Sequence, residues 1–242
     1  MNLDRICIVG LGAIGGFMAH RIAESGRPVS ALARGATLAA VRRNGLLLRD
    51  ASDPEHGRAV SIAASDSPAE LGPQDLVILA VKTTALPSIP ASISPLLGPN
   101  TVVLSAMNGV PWWFFHGLGE RWHTTRLEAT DPTGDLAGAI PPERVVGCVV
   151  HMGAATPEPG VVRHMVGDRF IVGEPGGRDT PRLAGKIKPP KPLPPIKPEE
   201  VPYELPPGWE WVRLGSVGAF ERGRSKHRPR NDNRLFENGI YP

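Results

Sequence analysis

RICIVGLGAIGGFMAHRIAESGRPVSALAR, residues 5–34, decides the fold. RICIVG at its start is, after Arg5, a continuous apolar run, the pattern of a strand buried on both faces of a parallel sheet. The turn Gly10-Leu11-Gly12-Ala13-Ile14-Gly15-Gly16 follows at once. Beyond it, Ile14, Phe17, Met18, Ile22 and Ala23 fall roughly along one helical stripe, and Gly26 predicts the stop. PVSALAR, 28–34, reads as a second strand. This order predicts an α/β domain with a mostly parallel sheet and flanking helices.

A G-x-G-x-x-G pattern alone is a weak signal. Placed between a buried strand and the opening of a helix, it reads as a dinucleotide cradle. Gly10 permits the tight turn, and Gly12 has no side chain to block a diphosphate. Gly15 lets the helix pack closely on the strand, while the unpaired N–H groups of the helix start face the phosphate charge. The candidate cofactor residues here are Gly10, Leu11, Gly12, Ala13, Ile14 and Gly15. The bland alternative is a strand–helix turn that binds nothing.

The end of the second strand selects the dinucleotide. An Asp or Glu there would accept from a ribose 2′-hydroxyl and favour NAD. This chain has Ala33-Arg34-Gly35-Ala36-Thr37, without a carboxylate. Arg34 can make charge-assisted bonds to a 2′-phosphate, so the expected cofactor is NADP. The alternative is a solvated surface arginine. Arg42 and Arg43, further on, read as exposed helix residues, with assistance to the 2′-phosphate as the alternative.

LVILAV, 76–81, is a further apolar strand with Lys82 at its carboxyl end, the edge where open parallel sheets take ligands. Lys82 is also the only lysine through Gly185, against fifteen arginines. It is expected to face a ligand, with a plain surface lysine as the alternative. TVVLSA, 101–106, is the next strand and ends in Met107-Asn108-Gly109. Asn108 can offer an amide donor and acceptor to a carboxamide or carboxylate, or can simply form an Asn-Gly turn. The aromatic run Trp112, Trp113, Phe114, Phe115 is expected to pack beneath a helix.

Near residue 185 the chain changes character. Its formal charge is −1 before the break and +4 after it, for a total of +3 over 242 residues. The first part is long and apolar enough to bury a sizeable core. Cys7 and Cys148 sit inside apolar runs and read as buried thiols in a reducing compartment. No apolar stretch approaches the roughly 18 residues that span a bilayer, and the N-terminus lacks a secretion signal. The expected location is the cytoplasm, away from membrane. His116, His123, His151 and His164 are scattered without ligand spacing, so no metal site is expected.

Together GLGAIGG, the arginine after the second strand, AVKTTAL with Lys82, and MNGVPWWFF with Asn108 resemble the amino-terminal domain of ketopantoate reductase. The stretch 143–175, ERVVGCVVHMGAATPEPGVVRHMVGDRFIVGEP, also fits, read as a strand, a turn through Pro157-Glu-Pro-Gly160, then two short paired strands. The resemblance covers about residues 3–175. It implies a Rossmann-type domain in which Gly10, Gly12, Gly15 and Arg34 hold NADPH, while Lys82 and Asn108 lie where nicotinamide and substrate meet. The implied reaction is hydride transfer from NADPH to the ketone of a small branched 2-oxo acid in pantothenate biosynthesis. The family's proton-donating lysine belongs to a second, all-helical domain, and the chain diverges from the family within residues 178–185. Lys186, Lys188 and Lys191 lie in a proline-rich stretch that cannot form that domain's helix.

Residues 186–207 hold nine prolines and read as an extended linker. Beyond them YELPPGWEWVRLGSV and GRSKHRPRNDNRLFENGIYP resemble the opening of a target-recognition domain in type I restriction-modification specificity subunits. That resemblance implies DNA contact through Arg222, Arg224, Lys226, Arg228 and Arg230; a solvated charge run is the alternative. The expected organisation is a Rossmann domain at 1–177, a linker at 178–207 and a short partial α/β fragment at 208–242. The expected function is that of the NADPH-binding part of a ketopantoate reductase, with doubtful activity alone. The alternatives are a fragment of a DNA specificity subunit, or a fusion without a selected role.

Overall fold

The computed structural model describes residues 3–122, 125–177 and 180–183. The first apolar run forms β1 (Ile6–Val9), followed by α1 (Ala13–Glu24), β2 (Val29–Leu32) and α2 (Gly35–Asn44). β3 (Leu46–Asp50) and β4 (Asp53–Val60) make an antiparallel hairpin before β5 (Ala63–Ser65). α3 (Pro68–Leu71), β6 (Gln74–Leu79), α4 (Ile89–Ile93) and β7 (Leu97–Ala106) continue the alternation. α5 (Asp135–Ala139), β8 (Val145–Glu158) and β9 (Val161–Gly173) come last.

Among the described residues all strands join one sheet in the order β4-β3-β9-β8-β7-β6-β1-β2-β5. From β5 to β8 every neighbouring pair is parallel. β1 has β2 on one side and β6 on the other, so the winding reverses there and opens a crevice at the strand ends. This is the mostly parallel Rossmann-type sheet expected from the sequence. β9 runs antiparallel to β8 and parallel to β3, so the β3–β4 hairpin extends the β8 side although it follows β2 in sequence.

Alternation along β1 explains its unbroken apolar run. Ile6 and Ile8 enter one core cluster with Phe17, Val41, Leu46 and Val162. Cys7 and Val9 enter the other with Val77, Leu79, Ile93 and Trp112. Period-two alternation between two covered faces requires an apolar side chain at every position. Each full burial of this kind is worth about 1.5–3 kcal/mol. α1 packs into the first cluster on a face of small residues. A Cβ on Gly16 would stand 2.6 Å from Val162 Cγ2, so a bare α-carbon is what lets β9 close over the helix.

Two expectations change. The stretch after the 157–160 turn is one continuous strand, β9, and not two short ones. Gly167 adopts φ +71°, where a Cβ would lie 2.5 Å from the His151 carbonyl oxygen, and the β8–β9 register shifts nearby. The strand bulges at Gly167 and pairing resumes beyond it. The aromatic run is also split. Trp112 is buried and donates through Nε1 to the Ile140 carbonyl at 3.0 Å, Phe115 stacks on Trp122, and Phe114 stays 47% exposed.

The folded part continues past residue 177. Arg182 donates to both carboxylate oxygens of Glu174 and to the carbonyls of Glu143 and Val145, pinning 180–183 to the start of β8. The rest of the expected linker, and the tail with Arg222, Arg224, Lys226, Arg228 and Arg230, lie outside the described residues. Among the described residues no helix is long and apolar enough to cross a membrane.

Candidate dinucleotide-binding cleft

The glycine turn is wedged between the ends of β2 and β6. Gly10 takes φ +96° and donates its N–H to the Leu32 carbonyl at 3.1 Å, while Ala80 donates to the Val9 carbonyl at 3.0 Å. A Cβ on Gly10 would meet Ala80 O and Val81 Cγ1, each at 3.0 Å. At Gly15 the added carbon would lie 1.9 Å from Gly10 O and 2.9 Å from Ala80 Cβ. Gly12 differs, for among the described residues nothing lies within 4 Å of a carbon added there. It is the N-cap of α1, with no side-chain cap and no acidic residue in the first turn. The opening N–H groups of that helix therefore lack intrahelical acceptors and present the positive end of its dipole.

A cavity of about 620 Å³ joins this turn to the end of β2. Gly10, Leu11 and Gly12 line one part, Arg34 and Thr37 another, and the β8–β9 turn at 157–160 a third. Arg34 is exposed, caps α2 from an extended conformation, and has no side-chain partner among the described residues. Arg42 instead donates to the Ala64 carbonyl at 3.0 Å, and Arg43 is exposed. A bare cradle at an uncapped helix start and an unpaired guanidinium on one cavity fit an anionic ligand of two separated phosphate sites.

The cavity also brings in a residue the sequence reading missed. Asp66 lines it from the end of β5, which pairs with β2 through Leu32 and Ser65. The available signal was a carboxylate one residue past a parallel strand, but that strand is only Ala63–Ser65, too short for its pattern to be read.

Ala13, Ile14, Gly15, Lys82 and Asn108 are not among the residues lining the cavity. Lys82 follows β6, is exposed, and has no side-chain partner among the described residues. Asn108 is engaged with β8. Its Nδ2 donates to the Val150 carbonyl at 2.9 Å, and its Oδ1 accepts from the Val150 N–H at 2.8 Å. The amide is a clamp between the end of β7 and β8, leaving one N–H and one lone pair for anything else. The segments after β6 and β7 are neighbours, since a Cβ on Gly109 would lie 2.7 Å from Thr83 Oγ1.

Both cysteines are free and buried. Burial pushes the Cys7 thiol up and Cys148 to about 11, so neither is a thiolate nucleophile at neutral pH.

Comparison with known proteins agrees with this architecture. Residues 6–112 match the family described as ketopantoate reductase PanE/ApbA. A 2-dehydropantoate 2-reductase of Mesorhizobium japonicum is 45% identical over 180 residues, 74% of this chain and 54% of the relative. A solved structure from Ralstonia solanacearum MolK2, described as a ketopantoate reductase, is 49% identical with a TM-score of 0.71, covering 76% of this chain and 56% of that one. The chain thus spans about half the length of the relatives it matches. A separate match of 39 residues, 67% identical, links 16% of the chain to 7% of the EcoAI type I restriction specificity subunit of Escherichia coli. The Rossmann-type part of this chain is thus similar, in sequence and in fold, to the amino-terminal part of ketopantoate reductases.

Proposed function

We propose that this domain holds NADPH as the cofactor half of a reductase acting on a small 2-oxo acid, 2-dehydropantoate by analogy with its named relatives. The observation that carries the reading is one cavity with bare Gly12 in one part and, in another, Arg34, which has no side-chain partner among the described residues. Bound there, the cofactor supplies a hydride for a ketone carbonyl. Gly12 and the first turn of α1, with Ala13, Ile14 and Gly15, receive the diphosphate, and Leu11 covers it. Arg34 holds the 2′-phosphate by charge-assisted bonds, which selects NADP over NAD.

Lys82 is the exposed cation at the adjoining strand end, where it attracts the carboxylate of a 2-oxo acid. Asn108 fixes the neighbouring loop through Val150 and offers its remaining N–H towards nicotinamide or substrate. Reduction of a ketone also needs a proton donor at the nascent alkoxide. The family resemblance assigns that role to a lysine in a helical domain, and Lys82 is the only lysine among the described residues. Two buried free thiols suit the reducing cytoplasm. The tail's match spans too little of a specificity subunit to bring DNA recognition into this reading.

Titrating the purified chain with NADPH by fluorescence, then adding ketopantoate, tests the proposal. Saturable binding with little or no ketopantoate-dependent oxidation is expected. Absence of binding would overturn the cofactor assignment, and turnover comparable to a full-length reductase would overturn the subordinate role given to Lys82.

A further inference from the structure

We infer that Asp66 recognises the adenine of the bound dinucleotide by accepting a hydrogen bond from its 6-amino group, an inference that rests on the NADPH reading above. β1, β2 and β5 are consecutive neighbours in the sheet. The glycine turn follows β1, Arg34 stands two residues past β2, and Asp66 one residue past β5. Neighbouring strands are about 4.8 Å apart, so the three groups stand in a row roughly 10 Å long on the carboxyl edge. A dinucleotide with its diphosphate at the first and its 2′-phosphate at the second carries its base onward to the third.

Asp66 is exposed, lines the same cavity, and its carboxylate has no partner among the described residues. Arg34 is close in chain terms, because Ala33 donates its N–H to the Ser65 carbonyl at 2.9 Å. Yet the two opposite charges form no ion pair. The neighbouring Ser65 hydroxyl, in contrast, donates to Glu70 at 2.6 Å and accepts from the Ser67 N–H at 3.0 Å. Local polar groups are therefore satisfied without Asp66. An ionised carboxylate only accepts, so it must meet a donor. On the far side of a phosphorylated ribose, the donor carried by the base is the 6-amino group, whereas the 2′-phosphate itself would be repelled.

The test is calorimetric titration of the unaltered chain and of Asp66→Ala with NADPH and with nicotinamide hypoxanthine dinucleotide phosphate, which has oxygen in place of that amino group. The unaltered chain should prefer NADPH about tenfold, the scale of one hydrogen bond to a charged group. Asp66→Ala should lose this preference by weakening NADPH alone, and circular dichroism should show an unchanged fold. If Asp66→Ala keeps the preference, weakens both ligands equally, or binds NADPH more tightly, the inference fails while the NADPH reading stands. If the unaltered chain does not bind NADPH, the reading fails and Asp66 loses its assignment with it.

Discussion

Gly15 leaves no room for a side chain against Gly10: a Cβ there would stand 1.9 Å from the Gly10 carbonyl oxygen, a backbone atom that cannot rotate away. Gly12, three residues earlier, has open space in the same direction. One glycine is fixed by packing and the other by what must lie in front of it. Gly15→Ala should therefore destabilise the domain by about 1–3 kcal/mol or more, as overpacking does. Gly12→Ala should leave stability within about 0.5 kcal/mol while weakening NADPH binding by at least about tenfold. Denaturant unfolding and cofactor titration of both variants separate the two roles.

Asn108 makes the opposite prediction to that of a free ligand group. Its amide exchanges two hydrogen bonds with the Val150 backbone. Asn108→Ala should cost about 1–3 kcal/mol in a denaturant melt, because it leaves a buried N–H and carbonyl without partners. A change in cofactor or substrate affinity with stability unaltered would contradict the clamp.

His20 supplies a pH dependence. It is buried on α1, with Nε2 2.8 Å from the Arg58 carbonyl and Nδ1 without a partner among the described residues. Burial pushes its pKa below the ordinary 6.5. The folded chain therefore holds the neutral ring while the unfolded chain takes up a proton, and stability falls as pH drops below 6.5 towards the folded value. Unfolding midpoints should decline from pH 7.5 to 5.5, and less steeply for His20→Gln. Equal slopes in the two proteins would remove His20 as the cause.

The strands that were legible in the sequence are those covered on both faces. β1, Leu76–Leu79 of β6 and Val102–Leu104 of β7 present unbroken apolar runs, and the glycine turn and Lys82 follow the first two of them. β4 was unreadable because almost every residue in Asp53–Val60 is exposed, and neither periodicity nor apolarity marks an edge strand containing Pro54. The local composition of β3 gives no hint that it pairs with β9, more than a hundred residues away in sequence. At the site, the glycines and Arg34 could be read from local order. Asp66 and the Asn108 clamp could not, because each acquires its meaning from a partner strand, β2 and β8 respectively.

The measurement that bears most directly on the whole reading is the ratio of NADPH to NADH affinity in the unaltered chain and in Arg34→Ala. Arg34 has no partner among the described residues, so its removal should leave the fold intact. The unaltered chain should prefer NADPH by about tenfold or more, a charge-assisted contact being worth roughly 1.5–3 kcal/mol. Arg34→Ala should lose that preference while NADH affinity stays constant. Equal binding of both cofactors by the unaltered chain, or a parallel loss of both in the variant, would contradict a 2′-phosphate site at this guanidinium.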